Sequence, residues 1–167
     1  MTADEIRELF RYNAWAHRRM FDALAALPAE QYHRDVKCSF ASIHGTLAHI
    51  VWAEQLWLTR WLGAPPPPPA TAQGKDLASL ADARARWDEV EAQRGTFLES
   101  LTDAGLHDTL TIQPTTGGAY VHTLQQTLQH TIDHSSYHRG QIVTMLRQLG
   151  VKPPSTGLIG FYREQRQ

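Results

Sequence analysis

Cysteine is nearly absent from this sequence, since Cys38 is the single one among 167 residues. A lone cysteine excludes an intrachain disulfide and any zinc site built on paired cysteines. An excess of basic residues is absent too. The chain has 16 Lys and Arg residues and 17 Asp and Glu residues, which gives a formal net charge of -1. Binding to a nucleic-acid backbone depends on such an excess. We therefore expect no nucleic-acid partner.

Long apolar runs are also missing. The longest, such as residues 50–53, meet a charged residue within a few positions, far short of the ~20 residues that cross a bilayer. The first ten residues, MTADEIRELF, are acidic and lack the basic and apolar regions of a signal peptide. The sequence therefore predicts no membrane association and a cytoplasmic location.

An ordinary globular composition is present instead. Hydrophobic residues make up 42% of the chain and charged residues 20%, which excludes intrinsic disorder. A length of 167 residues suits one domain better than two, so we predict a single domain over residues 1–167. Nine histidines are many for this length, and three of them share one fixed spacing late in the chain.

Four segments have the apolar spacing of amphipathic helices, with repeats at three and four residues. They cover residues 3–27, 42–62, 76–101 and 123–149. Thr2 and Glu5 form a capping-box pattern at the first start, and Gly63 and Gly150 are typical residues at helix C-termini. Four long helices without a strong strand pattern predict an all-α fold, a four-helix bundle.

The segments between the helices carry their own patterns. Residues 28–40 have the composition of a loop, and residues 108–123 predict a short β-hairpin around the turn-forming TTGG. Five consecutive prolines, 65–69, follow the second helix. They favour a semi-rigid spacer, although such runs also dock on aromatic-lined partner domains.

Histidines 130, 134 and 138 form a ladder on the fourth helix. Residues four apart share a helical face, and two imidazoles at that spacing can bind one metal ion. At about 100° per residue, His138 lies roughly 40° and His134 roughly 80° from the apolar direction, while His130 lies roughly 120° away. This favours His134 and His138 as a metal-binding pair at the edge of the core. The alternative is three histidines that only pack or face solvent.

A third ligand has to come from another helix. The candidates are His17 on the first helix and, on the second, His44, His49 and Glu54. Periodicity favours His44 or Glu54, which fall on the main apolar stripe, but the opposite side, with His49, is also apolar. Spacing leaves the third ligand open.

Three segments of the chain are similar to the DinB/YfiT-like family of proposed metalloenzymes. The resemblance rests on RYNAWAHRRMFDALAALP in the first helix, SIHGTLAHIVWAEQLWLTRWLG in the second and HTIDHSSYHRGQIVTMLRQLGVKPP in the fourth. It implies a bundle in up-down-down-up order, commonly a homodimer, with three histidines that bind a divalent ion. On the matching motifs, the ligands would be His49, His134 and His138.

Three histidine ligands would leave a divalent ion with open coordination positions, as in catalytic sites. Zinc and nickel both suit imidazole ligands. The resemblance implies thiol-dependent transferase or isomerase chemistry, with a small molecule such as a low-molecular-weight thiol as substrate. Metal-assisted hydrolysis is second. The alternative is a stress-associated protein that binds a metal or small ligand without turnover. No residue is assigned a catalytic role.

Several other residues also stand out in the sequence. Gln141 and Tyr137 are candidates for contacts to the histidines, although packing roles are more common for such residues. Gly140 lies inside the fourth helix one turn after Ser136, and two small residues at this spacing predict a contact between subunits. Gly157 stands in a stretch where relatives often have an aspartate, so this chain lacks that carboxylate.

Overall fold

Four long helices, two short ones and a two-stranded sheet are present in the computed structural model, which describes residues 1–68, 74–113 and 117–166. The elements are α1 (Ala3–Ala25), α2 (Ala29–His33), α3 (Ile43–Trp61), α4 (Leu80–Glu99), β1 (Thr109–Ile112), β2 (Tyr120–Thr123), α5 (Leu124–Gln148) and α6 (Leu158–Glu164). The predicted all-α fold is confirmed, including the hairpin.

Each long helix begins after a serine or threonine whose side chain accepts a hydrogen bond from the first turn. These residues are Thr2, Ser42, Ser79 and Thr123. Gly63 and Gly150 follow the ends of α3 and α5 with φ of 63° and 75°, a conformation that costs glycine little. Local sequence therefore fixes most helix boundaries.

Helices α3 and α5 run antiparallel. Trp61, at the end of α3, donates from Nε1 to Thr127 Oγ1 in the first turn of α5 (3.0 Å). Nearer the start of α3, the His49 ring lies 5.0 Å from that of His134. The residue numbers rise along one helix as they fall along the other, which places the start of α3 beside the middle of α5.

Helix α4 is parallel to α3. Arg86 donates to Gln55 at 3.3 Å, and Phe97 stacks on Trp61 with ring centroids 5.6 Å apart, so both helices advance together. A parallel pair needs a connection that returns along the whole helix, about 28 Å for 19 residues at 1.5 Å each.

The proline run lies on that returning connection. Pro67 is buried, and further along Gly74 approaches α3 so closely that a Cβ would lie 2.9 Å from Ala48 Cβ. The predicted spacer therefore falls on the crossover between α3 and α4. Its last proline, Pro69, lies outside the described residues.

Helix α1 is antiparallel to α4. Arg7 Nε donates to the carbonyl of Leu98 at 2.9 Å, and Arg84 pairs with Asp22 at 3.1 Å. With α3 antiparallel to α5 and parallel to α4, α1 and α5 must point the same way. The order is therefore up-down-down-up. Both α1 and α3 pack on α4 and on α5, which places α1 and α3 at opposite corners of the bundle.

Three differences from the sequence predictions are local. Part of the stretch 28–40, predicted as a loop, forms the short helix α2, and α4 begins at Leu80 rather than at 76 because Ser79 caps it. The C-terminal stretch, which follows the last of the four predicted helices, forms the additional short helix α6, whose Phe161 is buried. The strands pair antiparallel from Thr109 opposite Thr123 to Ile112 opposite Tyr120. In the described residues, no helix has the length and apolarity to cross a membrane.

Candidate metal centre

Three histidines from two antiparallel helices meet at one point on the bundle. His49 comes from α3, and His134 and His138 from successive turns of α5. One ring nitrogen from each lies within 4.8 Å of those of the other two. The three rings have centroid separations of 4.4, 4.7 and 5.0 Å. The structure thus brings together the three residues that the resemblance implies.

Periodicity left the third ligand open, and the structure turns the side of α3 with His49, not the side with His44 and Glu54, toward the α5 histidines. Helix α3 lies diagonally opposite α1 and packs on both α4 and α5, so it is buried on more than one side. His44 Nε2 instead lies 2.8 Å from the carbonyl oxygen of Leu77, and Glu54 is buried elsewhere in the core. A helix that is apolar nearly all round has no single stripe to follow.

Both half-buried histidines of the group are neutral at pH 7. Burial, with a smaller effect of the His138 charge, lowers the pKa of His49 to about 4, and burial also lowers the pKa of His134 to about 4. Their Nε2 atoms lie 3.0 Å apart. At this distance either one nitrogen donates a proton to the other or both lone pairs face a shared cation. The three imidazoles therefore fit a divalent metal ion.

Neighbouring side chains hold two of the rings in place. His138 Nδ1 lies 2.8 Å from Gln141 Oε1, and an N–H donated there leaves the Nε2 lone pair free toward the group. Phe40 stacks on His49 with centroids 4.2 Å apart and meets His138 edge-on at 5.4 Å. Gln141, a candidate for such a contact although packing roles are more common, makes it here. Phe40 was missed because its segment has no periodicity.

The turn that carries Phe40 has an unusual backbone. Ala41 adopts φ of 63° and Lys37 φ of 57°, a region that costs most residues energy. In the first turn of α3, Gly45 lies so close that a Cβ would stand 2.2 Å from the Phe40 carbonyl oxygen. A glycine at this position is therefore required for Phe40 to reach His49.

The exposure of the three ladder histidines on α5 follows the order that their angles from the apolar direction predict. His138 is only 8% exposed, His134 is half-buried and His130 is exposed. His130 is outside the three-histidine group and contacts Trp57 edge-on, with ring centroids 5.3 Å apart. Tyr137, 66% exposed, meets the His138 ring at 5.0 Å.

A buried polar cluster centres on Glu54, on the core side of the three histidines. The carboxylate is fully buried and accepts from five side chains on three helices. Its donors are Asn13 at 2.8 Å, His17 at 2.9 Å, Ser135 at 2.6 Å, Trp87 at 3.2 Å and Arg94 at 2.8 Å. Burial by itself would raise the pKa of Glu54, but the Arg94 charge and the hydrogen bonds hold it well below its usual range.

Charges in this cluster are balanced. Arg94 also pairs with Glu91, and Arg139, buried nearby, donates to Asn13 Oδ1 at 2.5 Å. Two guanidinium groups thus accompany two carboxylates. His17 completes the cluster as a neutral ring, because burial lowers its pKa despite the nearby Glu54. Glu54 and His17 were both candidates for the third metal ligand. They hydrogen-bond to each other instead.

The buried cluster and the three-histidine group share helix α5. Ser135 directly follows His134, and Arg139 directly follows His138. Both of these residues hydrogen-bond to members of the cluster, Ser135 to Glu54 and Arg139 to Asn13. The cluster therefore sets the rotation of α5 that presents its two histidines to α3. One sequence signal was available, since Arg94 falls within an otherwise apolar helical stripe.

The remaining residues singled out from the sequence lie apart from the three histidines. Cys38 is half-buried, with its Sγ 3.5 Å from Met145 Sδ. Gly157 is the N-cap of α6 and provides no side-chain hydrogen bond to that helix. Gly140 and Ser136 are exposed. A Cβ on Gly140 would have no heavy atom within 4 Å among the described residues.

Comparisons with known proteins agree on one family. The model of the DinB family matches residues 1–167. Protein DinB of Bacillus subtilis (strain 168) is 31% identical over 152 residues, which cover 86% of this chain and 85% of that protein.

Two solved structures have a similar fold. A DinB-like protein from Bacillus cereus ATCC 10987 gives a TM-score of 0.66 at 20% identity, covering 92% of this chain and 97% of that one. A conserved protein from Enterococcus faecalis gives 0.67 at 17%, covering 84% and 94%. At these identities the two structures show the shared fold alone.

Proposed function

The chain belongs to the DinB family, and from that premise and the converging histidines we propose that it is a divalent-metal-dependent enzyme. His49, His134 and His138 would hold the ion. The observation that carries the proposal is a group of three ligand nitrogens, within 4.8 Å of one another, to which no described carboxylate belongs. Structural zinc sites generally use four protein ligands, whereas three leave a position for a substrate.

Neutral ligands determine the chemistry that such a site favours. A divalent ion held by three imidazoles retains its charge and favours a thiolate or hydroxide over the neutral thiol or water. Phe40 covers one face of His49, and Gln141 orients His138. These two contacts support a rigid site, and the half-buried His49 and His134 leave it open to a small molecule.

Thiol-dependent transfer is the reaction that we rank first, with a low-molecular-weight thiol as co-substrate. Metal-assisted hydrolysis is second. Zinc and nickel are both candidates for the ion, because imidazole ligands suit either. The chain would act as a homodimer, joined through the exposed α5 face that includes Ser136 and Gly140. Small residues one turn apart allow close approach of another helix.

Metal content tests the proposal directly. Protein purified without a histidine tag should hold about one zinc or nickel ion per chain after reconstitution, and the His138→Ala variant almost none. His130→Ala is the matched control, since it removes the third histidine of the same ladder and should retain the metal. Elemental analysis of the three proteins provides the measurement.

Turnover is tested on the metal-loaded protein. Consumption of a thiol, measured by free-thiol titration with an electrophilic acceptor, should require the metal and disappear in His138→Ala. Cleavage of a model ester instead would favour hydrolysis. A wild type that takes up no metal would overturn the enzyme proposal and leave a binding protein without turnover.

A further inference from the structure

A cavity lies one helical turn from the metal centre, between α3 and the first half of α5. It has a volume of about 330 Å³ and is lined by Trp57, His122, Gln126, Thr127 and His130. None of these residues belongs to the three-histidine group. Trp57 is the largest side chain among them. The volume suits a group of roughly ten non-hydrogen atoms, if each takes ~30 Å³ as a water molecule does in the liquid.

His130 joins this cavity to the metal centre. Its ring lies 5.8 Å from that of His134 on one side and 5.3 Å from Trp57 on the other. A molecule in the cavity that contacts His130 is therefore one imidazole away from the three histidines. His130, the one ladder histidine outside the three-histidine group, therefore lies in the wall between the cavity and that group.

Arg60 places a cation beside this cavity, behind Trp57, and lines the neighbouring cavity with Leu56 and Thr109. Its guanidinium carbon lies 4.6 Å from the centroid of the Trp57 ring, and the side chain is half-buried. Burial lowers the pKa of Arg60, and no carboxylate of the described residues pairs with it. Burial lowers the pKa of His130, and the Arg60 charge lowers it further, so Arg60 also lies near the His130 side of the cavity. A partly buried cation without an anion favours an anionic ligand.

We propose that this cavity, together with Arg60, is a subsite for the non-reacting part of a small anionic substrate. An apolar group of the substrate packs against Trp57, and a carboxylate pairs with Arg60. The reactive end of the molecule then points past His130 toward the three histidines. The inference rests on the proposed function for its role in a reaction, but the binding chemistry of the subsite does not need the metal.

Calorimetric titration with two isosteric probes tests the subsite. Phenylacetate and phenylacetamide match the cavity in size and differ in charge, and neither carries a thiol. Metal-loaded wild type should bind phenylacetate at least about tenfold more tightly than phenylacetamide, as expected for a charged hydrogen bond. Arg60→Gln should abolish that difference. Arg60→Lys should restore part of it.

A matched control is Arg11→Gln, which removes an exposed arginine of α1 and should behave as wild type. A preference for phenylacetate that persists in Arg60→Gln would place the carboxylate on the metal and overturn the subsite. Equal binding of both probes by wild type, or binding of neither, would also overturn it. Metal content is measured on every protein, so a failed metal centre is recognised separately from a failed subsite.

Discussion

Replacing Glu54 by glutamine should destabilise the protein more than the same kind of substitution at an exposed carboxylate. The reason is that five donors converge on the Glu54 carboxylate. Oε1 accepts from Asn13, His17 and Ser135, and Oε2 from Trp87 and Arg94. A glutamine amide keeps one oxygen and points an NH2 group at the remaining donors. At the Oε2 position, it would leave two buried donors, one of them charged, without an acceptor.

The expected loss is about 3–5 kcal/mol in the free energy of unfolding, the usual cost of breaking one side of a buried ion pair. Urea denaturation of metal-free Glu54→Gln and wild type measures it. Asp22→Asn is the control, since the Arg84–Asp22 pair is exposed and such pairs contribute about 0–1 kcal/mol. A loss below about 1 kcal/mol in Glu54→Gln would refute the role assigned to the buried cluster.

Three further outcomes follow from local features. Burial lowers the pKa of the two half-buried histidines of the metal centre to about 4 from an ordinary 6.5, so the unfolded chain takes up protons first. Metal-free protein should therefore lose thermal stability as pH falls from 6.5 toward 4, and substitution of one of them by glutamine should flatten that decline. Gly45→Ala should cost about 1–3 kcal/mol in urea denaturation and weaken metal binding, because its Cβ meets the Phe40 carbonyl; Gly95→Ala, in open space, should be neutral or stabilising. Light scattering should give twice the 18.8 kDa chain mass, and Gly140→Arg should give a monomer; a monomeric wild type would remove the dimer proposal.

Local signals account for the part of the fold that the sequence predicted. Capping residues and apolar spacing act within a few turns, so the four long helices could be placed to within a few residues. The helices α2 and α6 have five and seven residues, too few for a periodicity to register. The directions of the helices depend on contacts between distant segments, such as Trp61 with Thr127, and came only from the family resemblance.

In the three-histidine group, too, the local part could be predicted from the sequence and the part that depends on distant contacts could not. His134 and His138 lie on one helix, so their spacing could be interpreted without knowing the fold. His49 could not be chosen by periodicity, because α3 is buried on more than one side. Phe40 reaches His49 through a turn with positive φ at Ala41, and no amino-acid pattern indicates that turn.

On α5, residues that face the other histidine ligand candidate are followed directly by residues that face the buried cluster. This arrangement restricts where the chain can gain or lose residues. His134 and His138 face His49, while Ser135 and Arg139, each one position later, face the buried cluster. One residue inserted between positions 135 and 138 would rotate everything after it by about 100°. The insertion would withdraw His138 from its partners and Arg139 from Asn13 in a single step. Insertions and deletions in homologues should therefore fall in the hairpin and the proline-containing crossover, and α5 should keep its length in every member that retains the three histidines.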